Sequence, residues 1–378
     1  MKRPTPPWVV GFAVLATCSA QTQPAMAQQA LEIDFNSGRT IIDHEFRSLG
    51  AHLVAVDWDS GVLYADDDEE PNGIMVFSLE TGEWLRTIST PTGEGPYEFP
   101  QGRGGMALRP GGGLYVAGLL RVIEYGPEGA QISYWNPEAP MSKRVCTFGD
   151  APAVPTQGGV VRRGPDGTTE PIGPVVAKGS LVSGDTAAER EEVGFQLRTA
   201  RIACLDDVAY VALSYDEGPD TIFAYHADGE VGRVAVPLEG AIPGAECKLP
   251  TMRGQSGRVV RPAGPCPHWS RGAQLSFDDL GNLVLLGADM LTHGAIIDPA
   301  TGCYALIHST TLMSHAPVGV HADSVLVYHN RPIERIRDGK PVIVTGLGSS
   351  PKVSIHPLRR ISGEPCPGML PTVKLTGL

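Results

Sequence analysis

Apolar residues in this chain fall in short runs. Some alternate with polar residues, others are wholly apolar, and Gly, Pro, Asp or Asn bounds nearly all of them. Alternation sets one face of a strand against a core, and a continuous apolar run sets both faces against one, so the pattern predicts many short β-strands joined by tight turns. Helical periodicity is scarce. One short helix is predicted over residues 186–195 (TAAEREEVGF), with Asp185 as its N-cap.

Laid side by side, the strand–turn–strand segments share one design. HLVAVDWDSGVLYAD starts at His52, RGGMALRPGGGLYVAG at Arg103 and RTARIACLDDVAYVAL at Arg198. RGAQLSFDDLGNLVLLG starts at Arg271 and HAPVGVHADSVLVYH at His315. Each has a strand of small apolar residues, a turn rich in Asp or Gly, and a second strand of mostly Val, Leu and Tyr. Each then runs into a third strand and another turn, as in IMVFSLETGEWLRTI and TIFAYHADGEVGRVAV. The interval between Arg103 and Arg198 holds a looser copy, VCTFGDAPAVPTQGGVVRRGPDGTTEPIG. The expected fold is therefore all-β, a six-bladed β-propeller of four-stranded antiparallel blades. A lone blade cannot bury both its faces, whereas blades stacked in a ring bury them and leave only short edges exposed. A pair of β-sandwiches is the rival, but it would not repeat one turn at one place in every unit. The strand-like LEIDFNSGRTII precedes the first full unit and is expected to complete the last blade with the C-terminal strands.

Composition agrees with this reading. The 46 glycines and 33 prolines are too many for long helices and suit a chain of turns. Residues 1–27 read as an export signal, with Lys2 and Arg3, an uncharged apolar run over residues 8–20, and Ala25-Met26-Ala27 as a small-x-small cleavage site. That run is too short for a comfortable membrane span. Residues 28–378 are then one propeller domain, periplasmic or extracellular, with no membrane span in the mature chain. Lipid attachment at Cys18 is the alternative, although the threonine before it fits a lipobox poorly. The whole chain has 30 Lys and Arg against 42 Asp and Glu, a net −12 that becomes −14 once Lys2 and Arg3 are lost. Such acidity argues against nucleic acid or an anionic membrane as the partner.

Of the seven cysteines, all but Cys18 lie beyond the signal, an even number that suits disulfides in an oxidising compartment. Cys247 and Cys266 are the candidate pair, closing the irregular loop between them. No C-x-x-C spacing is present, so neither zinc nor any other metal or cofactor is expected. The His308, His315, His321 group fits no familiar ligand spacing. Nucleophile-elbow and P-loop motifs are absent as well.

The stretch GEGPYEFPQGRGGMALRPGGGLYVAGLLRVIEYGPEG resembles the NHL-type repeat of bacterial six-bladed propellers. The match rests on Gly93, Gly95, Pro96, Phe99, Pro100, Pro110, Gly113, Leu114, Tyr115, Val116, Ala117, Arg121, Val122 and Tyr125. Gly118 departs from it, standing where that pattern usually has Asp; the first unit does carry the acid, as Asp66. The resemblance implies the fold and leaves function open, because propellers host binders and enzymes alike. Asp66, Asp206, Asp278 and Asp323 are read as turn residues whose carboxylates satisfy backbone amides.

Counting back from the second strand of each unit brings His52, Arg103, Arg198, Arg271 and His315 to equivalent positions, with Lys143 and Arg144 in the looser copy. A ring closed on these residues would gather basic side chains at one mouth of a central channel, and guanidinium forks suit carboxylate, phosphate or sulfate. The sequence therefore points to an exported binding module. Its expected partner is an envelope or extracellular protein, peptide or glycan, with a small anionic ligand held by His52, Arg103, Arg144, Arg198, Arg271 and His315. An enzyme of lyase or lactonase type using the channel is the alternative. His52 and His315 are the histidines such an enzyme would use, but no partner Glu is readable from spacing.

Overall fold

The computed structural model describes residues 29–43, 49–67, 73–156, 159–172, 200–212, 221–228, 231–235, 252–253, 259–260, 274–286, 293–308, 315–331, 333–337, 340–344 and 350–363. Every regular element among them is a strand. The predicted helix over residues 186–195 lies outside the described residues.

Four separate four-stranded antiparallel sheets follow one another along the chain. The first is Leu49–Asp57, Val62–Asp67, Gly73–Ser78 and Trp84–Ser89; the second is Arg103–Leu108, Leu114–Gly118, Val122–Tyr125 and Gln131–Trp135. The third, the looser copy in the sequence, is Cys146–Phe148, Ala151–Thr156, Gly159–Arg163 and Thr169–Pro171. The fourth is Arg201–Leu205, Val208–Ala212, Thr221–His226 and Val231–Ala235. The remaining units are not two further independent sheets. They join in one nine-stranded sheet that starts with the meander Gln274–Phe277, Leu283–Leu286, His293–Ile297 and Tyr304–His308. Its other half holds His315–His321, Ser324–Arg331 and the long strand Ser350–Ser362.

The link between the halves is the N-terminal strand Gln29–Ile33. It runs parallel to Tyr304–His308 and antiparallel to the end of Ser350–Ser362, with Leu31 opposite Ile307 and Ile33 opposite Leu358. Arg39–Asp43 pairs with the earlier part of that C-terminal strand. The expected tie between the two chain ends is present, and it also explains why the last sheets merge.

Burial follows a strand's rank within its sheet. Two second strands are wholly apolar: Leu114–Gly118 and Leu283–Leu286 are buried at every position. Their alternate residues serve different cores. Leu114 and Val116 pack with Tyr64, Ile74 and Val76 of the first sheet, while Tyr115 and Ala117 pack with Val154 of the third. Leu283 and Leu285 meet Tyr210 and Ala212; Val284 and Leu286 meet Val325 and Val327. A strand sandwiched on both faces has no polar side to show, hence the unbroken hydrophobic run. Outer strands such as Trp84–Ser89 and Gln131–Trp135 face water and are mostly exposed.

The glycines of residues 93–118 are turn chemistry and close packing. Gly111, Gly112 and Gly113 all take positive φ, and a Cβ on Gly113 would lie 2.1 Å from the Tyr125 carbonyl oxygen. Arg121 donates to the Gly95 and Glu98 carbonyls and so pins the crossover, whose Phe99 is fully buried. A Cβ on Gly118 would meet the Phe99 ring at 2.8 Å, a physical reason for glycine where the NHL-type pattern has aspartate.

Candidate functional site

The first strand of each sheet pairs on one side only. The first strands of the four separate sheets, with Gln274–Phe277 and His315–His321 of the merged sheet, line one cavity of about 580 Å³. They lie in sequence round it, and the last meets the first. Contacts between the hairpin ends give their direction. The Thr147 hydroxyl donates to the Leu108 carbonyl, the Gly149 amide to the Asp206 carbonyl, and the Ala322 amide to the Asp279 carboxylate. Trp58 stacks on His321 at 4.5 Å between ring centroids. The hairpin turns therefore gather at one end of the cavity, and the strand starts lie towards the other.

Arg144 and Arg201 stand on the wall towards the strand starts. Arg144 stands two residues before the first strand of the third sheet, and Arg201 opens that of the fourth. Two local devices place Arg144. Lys143 has a positive φ of 58°, and its carbonyl accepts a 2.5 Å hydrogen bond from the Gly105 amide. Gly104 and Gly105 make that approach feasible: a Cβ on Gly104 would lie 2.4 Å from the Lys143 Cβ. A disulfide between Cys146 and Cys204, with Cα atoms 5.4 Å apart, joins the two arginine-bearing segments, and both cysteines line the cavity. Burial brings Arg144 down to about 9, the Arg201 charge beside it adding to the effect, and burial lowers Arg201 as well. Two guanidinium groups held in a low-dielectric wall gain from any anion that approaches both.

The hairpin end has the opposite sign. Asp57, Asp59 and Asp279 line it, with His321 placing Nδ1 3.8 Å from the Asp279 carboxylate. Asp278 is there too, but it behaves as the turn residue expected from the sequence. Its oxygens accept from the Leu280 amide, the Asn282 amide and the Asn282 side chain. Burial raises its pKa, a rise that the Asn282 hydrogen bonds oppose.

Of the six basic residues marked by the sequence, Arg103 and Arg144 are the two whose side chains are described. Arg144 reaches the cavity. Arg103 lies in the seam between the first two sheets, where it pairs with Asp66 and donates to the Gly73 carbonyl at 2.8 Å; both side chains are almost fully buried. Asp66, expected in a turn, lies within the strand Val62–Asp67, and its carboxylate accepts from a guanidinium. His52 and His315 fall within first strands, but their side chains are outside the described residues, as are Arg198, Arg271, Cys247 and Cys266. Cys303 is disulfide-bonded. Arg201, three residues beyond Arg198, lies outside the basic set that the sequence marks. The Cys146–Cys204 pair also goes beyond the sequence expectation, and it has a local signal: both cysteines fall just before the first turn of neighbouring units.

Among the described residues no group of three His, Cys, Asp or Glu side chains is placed to hold a metal ion, and no helix is long and apolar enough to cross a membrane. No family model matches the sequence, and no curated protein matches it. Solved structures are similar in shape. A putative exported protein from Bacteroides fragilis is 9% identical with a TM-score of 0.49, the match covering 89% of this chain and 99% of that one. Virginiamycin B lyase from Staphylococcus aureus is 9% identical with a TM-score of 0.45, covering 87% and 99%. A gluconolactonase from Xanthomonas campestris is 12% identical with a TM-score of 0.46, covering 88% and 97%. The class defined by this chain's own geometry is an all-β, propeller-like array of antiparallel sheets around a central cavity.

Proposed function

We propose that this is an exported six-bladed propeller of NHL-like type, working in the envelope or outside the cell as a binding module for a protein, peptide or glycan that presents an anionic group to the central cavity. The observation that carries the reading is the placing of Arg144 and Arg201 together on the cavity wall, from neighbouring segments locked by a disulfide. Guanidinium groups offer fixed forks of donors that match carboxylate, phosphate and sulfate. The blade count is supported by the six first strands round the cavity, the last two blades sharing one sheet through Gln29–Ile33. Export is supported by the disulfide, which suits an oxidising compartment, and by the signal-like residues 1–27.

Calorimetric titration with acetate, phosphate and sulfate tests the anion site on wild type and on Arg144→Gln/Arg201→Gln. The proposal expects saturable binding of at least one anion to wild type, weakened about tenfold or more in the variant, as the loss of charge-assisted hydrogen bonds implies. Equal affinity in the two proteins would contradict it.

A further inference from the structure

The cavity has opposite charge at its two ends, and the interval between them is readable from the ladders. In the fourth sheet Arg201 pairs with Ala212, and Leu205, the last ladder residue, pairs with Val208 at the start of the second strand. In the first sheet the residue equivalent to Leu205 is Asp57, which pairs with Val62. Arg201 therefore stands four ladder positions from the acidic end. At the rise of a β-strand that is about 13 Å, the span of an extended chain of about four residues.

The wall between the two ends mixes small, apolar and uncharged polar residues, among them Ala55, Gly105, Thr147, Ala203, Ser276 and Gly319. It is formed by strands that pair with another strand on one edge only, and on the other edge backbone groups do take partners: the Gly105 amide donates to the Lys143 carbonyl and the Leu108 carbonyl accepts from the Thr147 hydroxyl. An alkyl chain would not use the polar groups of such a wall. A peptide does, because its amides hydrogen-bond while its ends seek charge. At the far end Asp57, Asp59 and Asp279 offer carboxylates for an ammonium group, with the half-buried Trp58 ring beside them.

We propose that the ligand is a short zwitterionic peptide, its C-terminal carboxylate held by Arg144 and Arg201 and its N-terminal ammonium by Asp57, Asp59 and Asp279. This rests on the anion reading above and goes beyond it in naming the ligand class and a second subsite. Length is the first consequence: about four residues reach both ends, whereas a dipeptide reaches one.

The test is titration calorimetry of the full mature protein with tetra-alanine, N-acetyl-tetra-alanine, tetra-alanine amide and di-alanine. Tetra-alanine is expected to bind, and blocking either end or shortening to di-alanine is expected to weaken binding about tenfold or more, the worth of one charge-assisted contact. Asp279→Asn keeps an acceptor for the Ala322 amide and leaves the fold intact. It is expected to weaken tetra-alanine and to leave the N-acetyl form unchanged. Should the N-acetyl form bind wild type as tightly as tetra-alanine while the amide form does not, the peptide inference is overturned and the anion site stands. Failure of tetra-alanine to bind a protein that does bind simple anions overturns the inference in the same way. If the acetate, phosphate and sulfate titrations also show nothing, the underlying reading fails with it.

Discussion

Cys146 and Cys204 are bonded across the cavity wall, two residues beyond Arg144 and three beyond Arg201, so one covalent link sets the spacing of the segments that carry both guanidinium groups. The bond closes a loop with a sequence separation of 58. A loop of that size restricts the unfolded chain, and Cys146→Ser/Cys204→Ser is expected to lose about 2–4 kcal/mol of unfolding free energy. Denaturant titration measures this. The double variant is also expected to bind anions more weakly, since the covalent link that spaces the two segments is then gone.

The ion pair in the seam behaves differently. Arg103→Ala leaves the Asp66 carboxylate buried without its guanidinium, at an expected cost of about 3 kcal/mol. Anion affinity of the folded fraction is expected to be unchanged, because Arg103 points into the seam and not into the cavity. Denaturation and anion titration of the same preparation separate the two effects. Loss of affinity without loss of stability would put Arg103 at the site after all.

Gly104 controls Arg144 from the neighbouring sheet. Any side chain there meets the Lys143 Cβ and carbonyl. Gly104→Val is therefore expected to displace residues 143–144 and weaken anion binding, with a stability loss of about 1–3 kcal/mol from overpacking. A change at Gly102, whose Cβ would meet nothing, is the spatial control; its positive φ makes Asn the suitable replacement.

Arg144 also predicts a pH profile. On the proposed reading its charged form is the one that binds the anion, and burial with the neighbouring Arg201 charge brings its pKa down to about 9. Anion affinity is expected to be level well below that pH and to fall as pH rises through about 9, earlier than an exposed arginine would allow. Stability of the ligand-free protein moves the other way. In that window the unfolded chain keeps the proton that the folded chain releases, so unfolding free energy rises with pH. Arg144→Gln is expected to reduce both trends, the remainder coming from Arg201, whose pKa burial also lowers.

The fold was largely legible because a repeated strand–turn–strand pattern is written in local chemistry. Runs such as LYVAG and LVLL have no polar face, and only a strand covered on both sides explains them. The tie between LEIDFNSGRTII and the C-terminal strands followed from the need to close the array. The merging of the last sheets through Gln29–Ile33 did not, since one parallel pairing with Tyr304–His308 decides it and no local pattern encodes that. The site was less legible for a similar reason. The ladders of two first strands are irregular, at Arg103/Met106 and at Leu49/Val54, while that of Arg201–Leu205 is regular, so the units are not strictly equivalent residue by residue. Equal spacing along the sequence therefore does not mean equal placing: Arg144 lines the cavity, whereas Arg103 pairs with Asp66 in the seam.

The most direct measurement of the central claim is an experimental structure of the mature protein with a saturating simple anion, phosphate or sulfate. The account predicts the anion within hydrogen-bond distance of the guanidinium groups of both Arg144 and Arg201, on the cavity wall beside the Cys146–Cys204 disulfide. An anion bound elsewhere, with those two side chains turned away from the cavity, would contradict it.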